Sequence, residues 1–204
     1  MLVISRNYLT NLKGISECTN LKELDASHNF LEDLSPLVRL RNLKVLKLNN
    51  NRIKDISQLR FCRNLIQLNT HSNLLFFFER ILFTLEMLPE LCRLKIHNNP
   101  FYNKIKEVDY FLVAKLNLEE LNNQTITYED KQRALTSLES DSFRKLFRRA
   151  SHEEYQTERK AEVEKSSIIE LKNSISQLKE ENSRMKTELK KAWKLLEILI
   201  NKRQ

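Results

Sequence analysis

Short stretches in which apolar and polar residues alternate recur along the N-terminal half of the chain. Each has the form L-x-x-L-x-L-x-x-N-x-L. Alternation with a period of two predicts a short β-strand with one buried face. The asparagines of successive copies are spaced by 22, 22, 22 and 26 residues, at Asn7, Asn29, Asn51, Asn73 and Asn99. Repetition of this kind is typical of a solenoid of stacked turns.

After each predicted strand, the apolar residues change to a spacing of three. This spacing predicts a 3₁₀-like segment on the opposite side of the turn rather than an α-helix. The unit over 65–90 is longer than the others and has room for about one additional α-helical turn. Its phenylalanines at 76–78 are interpreted as core and rim of that side rather than as a ligand pocket. One turn shows the spacing at Leu31, Leu34, Leu37, Leu40 and Leu43.

The asparagines and cysteines have structural interpretations within this repeat. Each asparagine follows a strand, where its amide can hydrogen-bond the neighbouring turn and keep the turns in register. Because Gly14 is the single glycine, we expect asparagine wherever the backbone must be left-handed. Cys18 and Cys62 take the position that Leu40 fills in the intervening turn, which predicts small buried apolar side chains rather than redox or metal ligands.

The segment after the last repeat, together with the repeat length, resembles a known family. Residues 98–130 contain Asn-Asn-Pro-Phe, then Leu118 and Leu121, then Ile-Thr-Tyr-Glu-Asp. The repeat resembles the short leucine-rich-repeat class of the type-1 protein phosphatase regulatory subunit, the spliceosomal A-prime protein and many ciliary and centrosomal proteins. The later segment is similar to the C-terminal capping unit of that class. Its proline, aspartate and glycine are replaced by Asn117, Asn122 and Asn123. The resemblance implies an α/β solenoid, with parallel strands on a concave face, over residues 1–130.

The start of the sequence falls inside the first predicted strand, at Met1. A repeat end without a capping segment exposes its core and its strand edge. We therefore expect either that the sequence is truncated, or that a partner or the distal chain covers this end.

The strands of such a solenoid line its concave face, and the repeated leucines point into the core. Positions 3, 5 and 7 of the repeat therefore point outward. Their charge changes from acidic in the early turns to basic in the later turns, so a partner helix with the opposite order of charge would fit. A merely solvated strand face is the alternative. The predicted partner-binding residues are Glu23, Asp25, Val45, Lys47, Asn49, Gln67, Asn69, His71, Arg93, Lys95 and His97.

Two of these residues, His71 and His97, occupy the same column on adjacent strands, where a metal site could begin. Zinc sites need three or four ligands, and the sequence places no third ligand nearby. We interpret the pair as surface histidines and expect no metal and no cofactor. The sequence also contains no Gly-rich phosphate loop and no evident nucleophile with a base, which argues against an enzyme.

The chain beyond the repeats is predicted to form a helical connector over 131–160 and a coiled coil over 161–204. Thr127 and Asp130 have the spacing of a capping box that starts a helix. Further on, apolar residues hold alternating a and d positions of a heptad, except for one asparagine at a, which commonly selects a parallel dimer. A single helix packed on another protein is the alternative. The predicted dimerisation residues are Ile168, Leu171, Ile175, Leu178, Asn182, Met185, Leu189, Leu196 and Leu199.

Charge and composition narrow the classes of partner. The net charge of +8 permits contact with nucleic acid, anionic lipid or an acidic protein surface. The basic segment 144–149 is followed by acidic residues and has no nucleic-acid motif, which favours a solvated helix face. The sequence has no apolar run long enough for a membrane span and no secretory signature. Its three cysteines form no close pair, so we expect reduced thiols and a cytoplasmic protein.

These features together predict a scaffold or adaptor, in which the solenoid binds a protein and the coiled coil dimerises or assembles. The order of repeats, cap and long helix resembles centriolin-like proteins and other leucine-rich-repeat coiled-coil proteins of centrosomes and axonemes. This implies a location at the cytoskeleton, centrosome or cilium. Two alternatives remain: a regulatory subunit of a protein phosphatase, and a spliceosomal protein that holds an RNA-binding partner. Protein partners are expected in each case, and a small-molecule substrate is not.

Overall fold

The chain divides, in the computed structural model, into two units, Met1–Glu154 and Tyr155–Gln204. The structure describes residues 1–103, 107–139, 168–169, 171–181 and 183–187. The basic segment 144–149 lies outside these residues, as do Asn182, Leu189, Leu196 and Leu199 of the predicted coiled coil.

Within the described part of the first unit, six strands pair in parallel and in sequence order, and a seventh pairs antiparallel with the sixth. The register places a leucine of each turn opposite a leucine of the next, as in Leu24, Leu46 and Leu68. This row is buried. The arrangement confirms the predicted leucine-rich-repeat solenoid. The strands are β1 (Leu2–Val3), β2 (Glu23–Asp25), β3 (Val45–Lys47), β4 (Gln67–Asn69), β5 (Arg93–Lys95), β6 (Glu120–Leu121) and β7 (Gln124–Thr125).

The opposite side of the turns consists of short 3₁₀ segments, as the spacing of three predicts. The longer unit forms an α-helix, α1 (Phe78–Glu86), which confirms the additional helical turn. Phe78 is fully buried in the core, whereas Phe76 and Phe77 are partly exposed, in agreement with core and rim positions. The 3₁₀ segments are Ile15–Glu17, Ser35–Arg39, Ser57–Phe61 and Pro100–Asn103.

Buried asparagines hydrogen-bond each turn to the one before it. The side chain of Asn51 accepts from the backbone N–H of Leu31 at 3.0 Å and donates to the carbonyl of Ala26 at 3.1 Å. It also donates to the carbonyl of Leu48 in its own turn at 2.9 Å. The bond from Leu31 satisfies a backbone N–H that would otherwise be buried without a partner, and the three bonds confirm the predicted asparagine ladder. Equivalent contacts are made by Asn29, Asn73 and Asn99.

The first turn differs from the others because it packs against a neighbouring turn on one side only. Asn7 is exposed and donates to two carbonyls of its own turn. Cys18 is exposed as well, so the prediction that it is buried is wrong. Cys62 is fully buried as predicted, with its Sγ 3.5 Å from the carbonyl oxygen of Leu37 in the preceding turn. Burial raises the pKa of the Cys62 thiol to about 11, which keeps it protonated and unreactive.

The eighth position of every repeat has a left-handed backbone, with φ between 54° and 57°. In the first four repeats its backbone N–H donates to a carbonyl of the next turn, as from His28 to Asn49 at 2.9 Å. The positions are Arg6, His28, Asn50, Ser72 and Asn98. The expectation that asparagine supplies this backbone is therefore wrong for three of them. The same conformation recurs with different side chains at this position, although it costs a residue other than glycine about 1–2 kcal/mol.

A capping unit follows β5 and contains α2 (Val108–Lys115), the β6–β7 hairpin and α3 (Tyr128–Glu139). The hairpin turn is formed by Asn122 and Asn123, with φ values of 52° and 71°. A two-residue turn of type I′ requires a left-handed backbone at both positions. Asn123 therefore supplies the left-handed backbone that glycine supplies in the capping unit of the resembled class.

The side chain of Asn122 accounts for a second departure from that pattern. Its Nδ2 donates to the hydroxyl of Tyr102 at 2.8 Å and to the Asp109 carboxylate at 3.3 Å. An aspartate at this position could not donate and would face the Asp109 carboxylate. Burial, together with Asp109, raises the pKa of Tyr102, so its hydroxyl stays protonated and donates to Asp109.

Helix α3 begins with the predicted capping box. The backbone N–H of Thr127 donates to the Asp130 carboxylate at 3.0 Å, and the backbone N–H of Asp130 donates to Oγ1 of Thr127 at 3.2 Å. These reciprocal bonds satisfy two of the N–H groups that a helix start leaves free, and they confirm the predicted helix start.

The described residues of the second unit are α-helical. Five apolar side chains of the predicted heptad lie among them, and each is between 51% and 62% exposed. They are Ile168, Leu171, Ile175, Leu178 and Met185. In the part of the chain that the structure describes, no helix has both the length and the apolarity that a membrane crossing requires.

Candidate functional site

The outward-pointing side chains of β2 to β5, and of the residues that follow each strand, form one surface, here called the strand face. The strand pairing aligns them in rows. Glu23, Val45, Gln67 and Arg93 are register partners across the sheet, and so are Asp25, Lys47, Asn69 and Lys95. A third row, two residues further along each strand, is formed by Ser27, Asn49, His71 and His97. The structure thus brings the predicted partner-binding residues into adjacent rows, although Asn49, like Ser27 beside it, is buried.

Opposite charges pair at the start of the strand face. Nζ of Lys47 lies 3.6 Å from the Asp25 carboxylate on the adjacent strand. Asp25 also accepts hydrogen bonds from the hydroxyl of Ser27 at 2.6 Å and from its backbone N–H at 3.1 Å. Burial disfavours ionisation of Asp25, but the Ser27 bonds and the Lys47 charge outweigh it and lower its pKa. Asp25 and Lys47 therefore present a neutralised pair to a partner rather than two separate charges.

Amide groups occupy the middle of the strand face. Nδ2 of Asn69 donates to Oδ1 of Asn49 at 3.1 Å, and Oδ1 of Asn69 accepts from the backbone N–H of His71 at 3.3 Å. These bonds fix the orientation of both amides across two turns. The middle of the face is consequently polar, uncharged and ordered.

The later turns carry a stacked pair of histidines. The rings of His71 and His97 are nearly parallel, with centroids 4.9 Å apart. Nδ1 of His71 lies 2.9 Å from the hydroxyl of Ser72, and Nδ1 of His97 lies 3.1 Å from Oδ1 of Asn122. Burial, followed by the charges of His97, His28 and Lys95, lowers the pKa of His71.

The sequence analysis missed one charged residue of this surface. Glu120 on β6 is the register partner of Arg93 and is partly exposed. The charge order from acidic to basic therefore runs from β2 to β5 and is followed by a carboxylate on β6. No repeat signal marks Glu120, because the capping unit departs from the 22-residue spacing. Its two-residue strand becomes evident only from the pairing.

The sequence analysis also missed an exposed stripe beside the strand face. Residues that directly follow the repeat asparagines form it, and they are Tyr8, Phe30, Arg52 and Leu74. The rings of Tyr8 and Phe30 stack with centroids 6.1 Å apart, and the Arg52 guanidinium lies 4.6 Å from the Phe30 ring centroid. The 22-residue spacing of these positions was the signal that could have revealed it.

The carboxylates that line a cavity in the capping unit are occupied by structural contacts. A cavity of about 350 Å³ lies between α2, the β6–β7 hairpin and the start of α3. Its two carboxylates, Asp109 and Asp130, already accept hydrogen bonds from Tyr102, Asn122 and Thr127. Among the described residues, no group of three or more His, Cys, Asp or Glu side chains is arranged to hold a metal ion.

Solved structures share this fold. A chain of the Drosophila melanogaster SNF/U2A′ complex aligns with 72% of this chain and 86% of its own length, at 23% identity and a TM-score of 0.63. The internalin InlF of Listeria monocytogenes str. 4b F2365 aligns with 65% of this chain and 37% of its own length, at 29% identity and a TM-score of 0.50. Internalin C2 of the same strain aligns with 58% and 49%, at 24% identity and a TM-score of 0.50.

This chain therefore spans less than half of either internalin. No protein-family model matches the sequence, and no curated protein matches it in a sequence comparison. The likeness to the solved structures supports a leucine-rich-repeat protein.

Proposed function

We propose that this leucine-rich-repeat chain is an adaptor that binds a protein partner through its strand face. Leucine-rich-repeat folds generally mediate protein–protein interaction. The observation that carries the proposal is the alignment of outward-pointing side chains into rows across four turns. These rows form a continuous polar and charged surface, held in shape by the asparagine ladder beneath it.

The positions of the charges indicate where a partner would make its strongest contacts. Asp25 and Lys47 neutralise each other, so they contribute little to long-range attraction. Arg93 is exposed and Lys95 partly exposed, and neither forms an ion pair with another described residue. A partner with acidic side chains would gain most in the later turns, where these two cations lie beside the histidine pair.

Charge reversal tests this binding surface. The variant with Arg93→Glu and Lys95→Glu is expected to lose the partners that wild-type full-length protein captures by affinity purification. Arg63→Glu is the matched control, because Arg63 is exposed, has the same charge and lies outside the strand rows. Partners that the double variant retains and the control loses would contradict the assignment of the face.

We further propose that the C-terminal helix assembles the protein as a parallel homodimer. Exposed apolar side chains at a and d positions of its described part support this, since a helix gains stability by burying such a stripe against another helix. Asn182 at an a position supports the parallel orientation by pairing with its twin.

The chain offers a matched pair of isoleucines to test assembly. Ile175 belongs to the heptad stripe and is 51% exposed, whereas Ile169 lies off the stripe and is 58% exposed. Ile175→Asp is expected to give a monomer in analytical ultracentrifugation, and Ile169→Asp is expected to remain dimeric. Asn182→Ile would remove the polar restriction and is expected to allow higher oligomers. Equal masses for both aspartate variants and the wild type would refute dimerisation through this stripe.

We propose a location at the cytoskeleton, centrosome or cilium. This proposal rests on the order of repeats, cap and long helix, which resembles that of leucine-rich-repeat coiled-coil proteins of centrosomes and axonemes. A spliceosomal role is the second candidate, because a chain with this fold occurs in the SNF/U2A′ complex. Affinity purification separates the candidates. Tubulin or basal-body components support the first, ribonucleoproteins support the second, and a phosphatase catalytic subunit would indicate the regulatory alternative. Imaging of the tagged full-length protein checks the location independently.

A further inference from the structure

The later turns of the strand face concentrate cationic groups around the stacked imidazoles. The groups that act on His71 are His97 on the loop after β5, Lys95 on β5 and His28 on the loop after β2. All three are cationic or become so by protonation. Arg93 on β5 adds a further positive charge to the same turn.

The carboxylates around this cluster already form an ion pair or accept hydrogen bonds, or they lie opposite Arg93 instead of the histidines. Asp25 on β2 is paired with Lys47 on β3. Asp109 on α2 accepts hydrogen bonds from the capping unit. Glu120 on β6 is the register partner of Arg93. The described residues therefore leave the histidine pair without an acidic partner of its own.

Hydrogen bonds from the protein determine which ring nitrogen of His97 carries a proton. Oδ1 of Asn122 accepts from the backbone N–H groups of Ile96 at 3.0 Å and His97 at 3.3 Å, which identifies it as the amide oxygen. An oxygen 3.1 Å from Nδ1 of His97 requires Nδ1 to donate. A neutral His97 is therefore protonated on Nδ1, and its Nε2 has a lone pair.

The Nε2 lone pair has a direct consequence for anion binding. Neutral Nε2 repels an anion, because both present electron density, whereas protonated Nε2 becomes a charged donor. Nδ1 of both rings faces a protein group, and no hydrogen bond of either Nε2 occurs among the described residues. An incoming anion would meet these nitrogens, and its negative charge would stabilise the protonated ring.

We propose that an acidic side chain of the partner docks against His71, His97 and Lys95, and that this contact is formed together with uptake of a proton by the histidine pair. The proposal rests on the strand face being the binding surface and specifies its chemistry. The occupant is a carboxylate-rich protein segment, since its charge complements Lys95, Arg93 and the protonated histidine pair. Without the anion, burial and then the charges of neighbouring basic groups oppose protonation and lower the pKa of His71.

The sign of the pH dependence follows from this coupling. A bound carboxylate raises the pKa of a neighbouring histidine, so the complex holds more protons than the free protein near neutral pH. Binding therefore strengthens as pH falls, by up to about tenfold per pH unit for one proton taken up. Carboxylates remain ionised at about pH 6, which keeps the partner charged over the relevant range.

A defined probe tests the proposal on the full-length protein. The probe is a short synthetic peptide rich in glutamate, and its counterpart with glutamine at the same positions is the control. Binding measured by calorimetry is expected to be about tenfold tighter at about pH 6 than at about pH 7.5 for the glutamate peptide. In NMR titrations, the peptide is expected to raise the pKa of His71. The His71→Asn and His97→Asn double variant is expected to bind with little pH dependence.

The outcomes separate this inference from the proposed function. Binding of equal strength at both pH values, or a pH dependence that survives the double histidine variant, overturns the proton-linked contact. If the Arg93→Glu and Lys95→Glu variant still loses its captured partners in that case, the strand face remains the binding surface. If the Arg93→Glu and Lys95→Glu variant still captured its partners and still bound the peptide, both the proton-linked contact and the strand face as binding surface would be overturned.

Discussion

Leucine and isoleucine side chains have opposite environments in the two units. Leu46 in the solenoid is 0% exposed, whereas Leu178 in the C-terminal helix is 60% exposed. Both belong to a periodic apolar pattern of the kind that stabilises a fold. In the solenoid, each turn buries its apolar face against the next turn of the same chain. In the described helix, no residue of the same helix can cover the stripe. The comparison indicates that solenoid stability is intramolecular, whereas the proposed dimerisation would make burial of the helix stripe depend on protein concentration.

Truncating one leucine in each unit gives the largest expected contrast. Leu46→Ala removes a fully buried side chain and is expected to lower the free energy of unfolding of the solenoid by about 2–5 kcal/mol. Leu178→Ala is expected to leave the solenoid transition unchanged and to shift only a transition that depends on concentration. Urea denaturation followed by circular dichroism at several protein concentrations measures both effects. An equal loss of solenoid stability in the two variants would break the comparison.

The asparagine ladder provides a similar contrast inside the solenoid, between an interior turn and the exposed first turn. Asn51→Ala leaves the buried N–H of Leu31 without a partner and removes the hydrogen bond to the Ala26 carbonyl, and it is expected to cost about 1–3 kcal/mol. Asn7→Ala in the exposed first turn is expected to cost less than about 0.5 kcal/mol. Chemical denaturation of the two variants provides the measurement, and similar losses would show that Asn51 does not join the turns as described.

Two buried threonines test whether the solenoid interior is fully satisfied. Oγ1 of Thr70 is buried and has no hydrogen-bond partner among the described residues. Thr70→Val is therefore expected to raise the free energy of unfolding by about 1 kcal/mol. Thr84 is equally buried, but its hydroxyl donates to the carbonyl of Arg80 at 2.8 Å. Thr84→Val is the matched control and is expected to lower stability by about 0.5–1.5 kcal/mol. Thermal unfolding should give shifts of opposite sign.

The smallest expected effect concerns the ion pair on the strand face. Since the folded-state pKa of Asp25 is lowered, its charge stabilises the fold above the ordinary aspartate pKa of about 4. This contribution is lost as pH falls through the lower folded-state value. Asp25→Asn is expected to be less stable than wild type at neutral pH, by up to about 1 kcal/mol, and nearly equal to it at strongly acidic pH. A difference that grows on acidification would contradict the sign.

The repeat could be predicted from sequence because its spacing determines both register and burial. Once Asn29 and Asn51 are aligned, the strand partners and the buried leucines follow, and so does the cross-strand position of Asp25 beside Lys47. The exposure of Cys18 could not be inferred from the repeat frame. The frame gives the direction in which a side chain points, whereas burial also requires a neighbouring turn to cover it.

The strand face was predicted with less completeness than the core. Its residues follow from the alternation along each strand, but their mutual contacts depend on side-chain geometry. His71 and His97, whose rings stack, belong to the regular repeats. Asn122, whose amide orients His97, belongs to the irregular capping unit. Periodicity carries no information about the cap, and for the same reason Glu120 remained undetected.

The β6–β7 hairpin reverses the chain direction and thereby limits where further repeats could be added to the solenoid. A duplicated 22-residue unit inserted between β2 and β4 would meet identical neighbours on both sides, because each joint there has the same parallel register. A unit appended after β7 would find an antiparallel edge that offers no matching row of leucines. Growth by duplication is thus excluded beyond β7, and every turn added between β2 and β4 would extend the strand face without displacing its histidine-bearing end.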